Sequence, residues 1–146
     1  SNAAVEIHDK HLSFSPQAQK ELSIITGAVA EIVILATDAF TGNDVVTAKR
    51  VEPLEEVIDD LCDEIKIRHV RRVQSGECTL DHGFVFNDLL TNFERISDHC
   101  SNIAVAVIEL SHDEFDVHEY LNRVKNSSSK SFSDSFNEYR ERYSLD

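Results

Sequence analysis

Two pairs of carboxylates, Glu55 with Asp59 and Glu94 with Asp98, are each spaced four residues apart. On a helix such residues project from one face, one turn apart, so each pair offers oxygen donors to a common point. Hard cations such as Fe³⁺, Mn²⁺, Mg²⁺ and Ca²⁺ are held by carboxylate oxygens clustered in this way. Zn²⁺ can bind them too, but it lacks its preferred nitrogen and sulfur here. The same spacing also arises on solvated helices. The acidic run from Glu52 to Glu64, followed by Lys66, Arg68, Arg71 and Arg72, partly follows the helix-dipole preference. Whether the pairs form a site depends on whether they share a groove.

The elements that must carry them are helices. The 146 residues include only 4 Gly and 2 Pro, and the apolar residues recur at steps of three and four. Ser15-Pro16 supplies a capping side chain and a proline suited to a first turn, so the first helix is expected from there to about Phe40. Thr41 to Asp44 should end it, with Gly42 at the terminus and Asn43 or Asp44 capping the next. A second helical pattern continues to Val73 or Gln74, with Pro53 either kinking it or separating two helices. Its apolar seam is Leu54, Ile58, Leu61 and Ile65, and Glu55 and Asp59 stand to one side of that seam.

Gln74 to Cys78 reads as a turn, after which Thr79 restarts a helix to about Leu110. Its apolar stripe is expected to be Phe86, Leu89, Phe93, Ile96, Cys100, Ile103, Val107 and Leu110. A shorter helix, Val117 to Lys125, should be cut off by the polar run Asn126 to Ser131, with a last helix from Phe132 to Tyr143. The fold class is therefore all-α. With the second and third helices antiparallel about Gly76, position 57 lies near 96, so the midpoints of the two acidic pairs are level. Both pairs sit on the same-handed side of their seams. They either both face the shared groove or both face away.

Composition excludes several classes. A net charge of −13 leaves no basic surplus to displace counterions from nucleic-acid phosphates or to bind anionic lipid. The most apolar run, Ile24 to Phe40, carries Glu31 and Asp38 and reads as a core helix, so no direct membrane insertion is expected from this segment. Cys62, Cys78 and Cys100 form no C-x-x-C pair and read as reduced thiols. Cys78 and His82 have ligand-like spacing but no second pair. No phosphate loop, nucleophile elbow or triad stands out, so no enzyme is expected. A carboxylate-bridged metal enzyme would add histidines in Glu-x-x-His spacing, where this chain has Ile58 and Ser97. Ser1-Asn2-Ala3 reads as an expression-tag scar.

The segments "EEVIDDL", "RHVRRVQSGECTLDHGFVFNDLL" and "ERISDHCSNIA" resemble the PhoU family of phosphate-uptake regulators. They are most similar to the PhoU-like cytoplasmic domain that follows the membrane part of bacterial Na⁺/phosphate cotransporters. The resemblance implies an antiparallel three-helix bundle over residues 4–112, with short additional helices in a C-terminal tail, 113–146. It also implies that Glu55, Asp59, Glu94 and Asp98 are metal ligands for iron, zinc, manganese or magnesium. The implied partner is a transmembrane transporter domain of the same parent chain or a phosphate-signalling protein, at the inner face of the cell membrane. A homodimer is compatible with it, and a stand-alone phosphate-signalling regulator is the alternative.

Overall fold

The computed structural model describes residues 15–78, 80–111 and 117–146. The expected scar at residues 1–3 and the Thr79 helix start lie outside them. Among the described residues four helices follow in order: α1 (Pro16–Gly42), α2 (Val45–Gln74), α3 (Leu80–Leu110) and α4 (Val117–Arg142). The first three pack pairwise as a bundle, and α4 lies against α2. Short connections between long helices leave antiparallel packing as the compact solution.

The helix ends follow from their capping side chains. Ser15 accepts from the Ala18 amide at the start of α1, and Asp44 accepts from the Thr47 amide at the start of α2. Between them Asn43, rather than the expected Gly42, adopts the left-handed conformation (φ 51°), because asparagine tolerates this region and its amide closes onto Ala39. Pro53 does not divide α2 into two helices. It is buried within a single one. At the α2–α3 turn Gly76 has φ +81°, which glycine adopts without steric penalty.

The core joins Ile25, Ala28, Ile32, Ala36 and Ala39 of α1 to the expected α2 seam of Leu54, Ile58, Leu61 and Ile65. By length and composition α1 could cross a membrane, but here its seam packs into the bundle.

In α3 the buried line runs through Phe86, Leu90, Ser97, Cys100, Ala104 and Val107, with Phe93 packed against it. The expected stripe shares Phe86, Phe93, Cys100 and Val107 with this line but is rotated to the wrong flank between them. Ile96 and Ile103 are 38% and 40% exposed, and Leu110 is 65% exposed. Hydrophobicity ranks Ile above Ser and Ala, whereas the distance between packed helices depends on the volume at the contact, which favours the smaller residues.

The C-terminal region also differs from expectation. Asn126 to Ser131 is not a linker but the middle of one helix, α4. Its end is anchored by Tyr139 and Leu145, both buried, with Phe136 and Tyr143 packed against the same core. Arg50 and Arg142 stand 5.7 and 5.2 Å from the centre of the Tyr139 ring. Arg142 also donates to both Glu31 oxygens at 2.7 Å, and Tyr143 donates to the same carboxylate. Burial pushes the Glu31 carboxyl up, but the bonds from Arg142 and Tyr143 outweigh it and hold the group below the usual range.

A candidate cation site in the α2–α3 groove

Cys62 beside the Leu90 carbonyl and Glu52 beside Ser101 set the register of the α2–α3 hairpin, with residue 57 level with about 96. At that level the α2 pair meets Asp98 across the groove, with Glu55 and Asp59 half-buried and Asp98 exposed. One oxygen each from Glu55, Asp59 and Asp98 lies within 4.8 Å of the others. Glu94 does not join them. Its Oε1 accepts from Lys66 Nζ at 2.7 Å, with both side chains half-buried.

The asymmetry follows from helix geometry. Side chains lean toward the N-terminus of their own helix, and in an antiparallel hairpin the two leans are opposed. Glu55 and Asp59 tilt away from the Gly76 turn, whereas Glu94 and Asp98 tilt toward it. Asp98 consequently reaches a level between Glu55 and Asp59. Glu94 overshoots both and meets Lys66, which leans back from the turn side. Backbone level alone, without this tilt, makes the four carboxylates look equivalent.

Crowding shifts the proton affinities of the cluster. Burial, the hydrogen bond with Asp59 and the charges of Asp59, Glu52 and Asp98 push Glu55 up to about 8. Asp59 is also raised, first by burial and then by the charges of Asp98, Glu94 and Asp63, while its bond with Glu55 acts in the opposite sense. Without a cation, a proton on Glu55 partly relieves the repulsion. All the donors are hard carboxylate oxygens, close enough for one ion to reach, and this set fits Mg²⁺, Mn²⁺, Ca²⁺ or Fe³⁺ better than Zn²⁺.

A pH dependence follows for metal-free protein. An unfolded glutamate titrates near 4.3, so between that value and about 8 the folded state holds more proton at Glu55 than the unfolded state does. Stability from this group is fully present below the lower value and is lost as pH rises toward the upper one. Denaturation in chelator across pH 5–8 should show this decline, and Glu55→Gln should make it shallower, leaving the part due to Asp59. Identical profiles for the two proteins would contradict the crowding.

No motif in the sequence marks Lys66, Glu52 or Ser101 as neighbours of the acidic pairs. Lys66 follows Asp59 by seven residues and Glu52 precedes Glu55 by three, so both lie on the acidic face of α2. That spacing was the available signal. Of the Cys78 and His82 spacing, the His82 side chain lies outside the described residues, and Cys78 Sγ lies 3.9 Å from His69 Nε2. Cys62 and Cys100 are buried, as core thiols should be.

Comparison with known proteins agrees with the helical architecture. The sequence model of the PhoU domain family matches residues 22–107. The chain is also 28% identical over 109 residues to the phosphate-specific transport system accessory protein PhoU homolog 1 of Thermotoga maritima. That alignment covers 75% of this chain and 47% of the relative, so the chain spans about half the relative's length. No solved structure matches significantly.

Proposed function

The chain belongs to the PhoU domain family, and from that premise we propose that it is a non-enzymatic regulatory module of phosphate transport that holds a hard cation in its α2–α3 groove. The observation that carries this reading is the convergence of Glu55, Asp59 and Asp98 at the level where the hairpin register aligns the two helices. A bound cation would neutralise the crowded carboxylates and tie α2 to α3. Metal loading would thereby stiffen the α2–α3 hairpin.

The arrangement we favour is a domain of a Na⁺/phosphate cotransporter at the cytoplasmic membrane face. It would touch the transmembrane part of its parent chain or a phosphate-signalling protein, alone or as a homodimer. A stand-alone regulator is the second reading, favoured by the accessory-protein name of the Thermotoga maritima relative. Several transmembrane segments encoded upstream would decide for the cotransporter. A catalytic di-metal centre has less support, because Ile58 and Ser97 occupy the positions where such sites carry histidine.

The functional test is made in cells. With Asp59→Asn and Asp98→Asn in the parent gene, phosphate uptake should lose its adjustment to phosphate supply while protein abundance is unchanged. Retained regulation would remove the groove from the function.

A further inference from the structure

The α2–α3 groove changes character along its length. On α2, Glu55, Asp59 and Asp63 are followed at the same helical spacing by Lys66, Val70 and Val73, and on α3 Phe84 and Asn87 lead in the same way to Glu94 and Asp98. The half of the groove far from the Gly76 turn is therefore acidic. The half beside the turn is an apolar pocket of about 320 Å³ between Val70, Val73 and Phe84, closed by His69, Phe86 and Leu90. We propose that this groove is a docking site for a cationic amphipathic helix, a Lys- and Arg-rich cytoplasmic segment of a transmembrane partner, which seats an apolar side chain in the pocket and lays its basic residues along the acidic half. This rests on the phosphate-transport reading above and needs no bound cation.

Val70 and Phe84 stand at the rim of the pocket, 53% and 69% exposed, while Phe86 and Leu90 are fully buried beneath them. His69, itself buried, stacks on Phe86 with ring centres 4.6 Å apart. Glycine at residue 83 preserves the space, since even a Cβ there would stand 3.1 Å from His69 Nε2. The volume is at the small end of ligand cavities and suits an aromatic or aliphatic side chain. Charge then selects what carries that side chain. The chain has a net charge of −13 and the acids continue from the pocket along both walls, so a second copy or an anionic lipid surface is repelled along the groove. A basic segment is attracted, and the cytoplasmic segments of membrane proteins carry an excess of Lys and Arg. Lys66, between the two halves, does not oppose it, because Glu94 holds its ammonium at 2.7 Å. Two antiparallel helices leave a straight trough in which an amphipathic helix can lay its apolar face. Asp59 lies about 16 Å from Val70 along α2, so the partner's apolar anchor and its basic residues should be about three helical turns apart.

The test is a fluorescence-anisotropy titration in chelator with a labelled synthetic helical peptide about five turns long, carrying Leu and Phe on one face of its first turns and lysines three turns further on. Val70→Asn/Phe84→Ser should weaken binding at least about tenfold, the loss expected on removing an apolar anchor's contacts. Both side chains are exposed, so the fold should persist. Ile34→Asn/Phe40→Ser, which removes apolar residues 58% and 68% exposed on α1, should leave binding unchanged. Asp59→Asn/Asp98→Asn should weaken it about threefold at low ionic strength and hardly at all at high. A peptide with glutamates in place of the lysines should not bind.

The inference is overturned if the lysine peptide does not bind, if the glutamate peptide binds as well, or if the α1 variant loses as much as Val70→Asn/Phe84→Ser. Sedimentation of the chain with phosphatidylcholine–phosphatidylglycerol vesicles, abolished by Val70→Asn/Phe84→Ser, would assign the pocket to lipid and overturn it. A dimer of the chain alone that the same variant dissolves would assign the pocket to a second copy, with the same consequence. Because the titration is made in chelator, its failure is distinguishable from failure of the cation reading, which the melting temperature with Mn²⁺ reports, and from failure of the transport reading, which phosphate uptake in cells reports.

Discussion

Replacing Arg72 with leucine is expected to destabilise the bundle by about 3–5 kcal/mol, the cost typical of removing one partner from a buried ion pair. Arg72 donates to both oxygens of Glu21 at 2.7 and 3.1 Å, and the Glu21 side chain is completely buried. Without the guanidinium the carboxylate is left with the Gln17 amide, at 3.1 Å. Leucine preserves part of the apolar contact of Arg72 with the Phe86 ring, which it now faces at 5.9 Å, so the loss should report mainly the stranded charge. Replacing both residues, as Glu21→Leu/Arg72→Leu, should recover most of the stability, because it leaves no buried charge behind. Urea denaturation measures both variants. A loss below about 1 kcal/mol for Arg72→Leu, the range of exposed pairs, would mean that the pair is solvated.

That pair shows where a single sequence stops being informative. Glu21 and Arg72 are 51 residues apart, and nothing in the local pattern of either helix marks them as partners. Helix existence and the α2 seam were legible because they depend on period and caps, which are local. The flank of α3 was not. Ile96 and Ser97 both neighbour the Phe93–Cys100 line, and only the approach of the other helices selects Ser97 for burial.

The serine-rich stretch of α4 departs from expectation for a related reason. Serine lies only about 0.5 kcal/mol above alanine in a helix, too little to break one whose end is anchored in the bundle by Tyr139. Within the candidate cluster, the carboxylates are legible from their spacing, and their level from the turn. The pairing of Glu94 with Lys66 is not, because it depends on the direction of side-chain tilt and on the reach of the lysine.

The second large effect concerns the cluster itself. Asp59→Asn/Asp98→Asn should abolish cation binding yet leave the fold intact, since these side chains border the seam rather than fill it. In metal-free conditions the double variant should be at least as stable as wild type, because it removes charges from a group whose members repel. Any ligand that binds only the folded state raises its stability, by about 2.7 kcal/mol at a hundredfold excess over Kd. For a chain of this size that corresponds to roughly 5–10 °C in Tm. Wild type should gain this and the double variant should not.

The most direct measurement is therefore the melting temperature of chelator-stripped wild type and Asp59→Asn/Asp98→Asn, each with and without saturating Mn²⁺. A rise of several degrees confined to wild type is the predicted result. A wild-type Tm that does not move with Mn²⁺, Mg²⁺, Ca²⁺, Fe³⁺ or Zn²⁺, or one that rises equally in the double variant, would contradict a cation site at Glu55, Asp59 and Asp98.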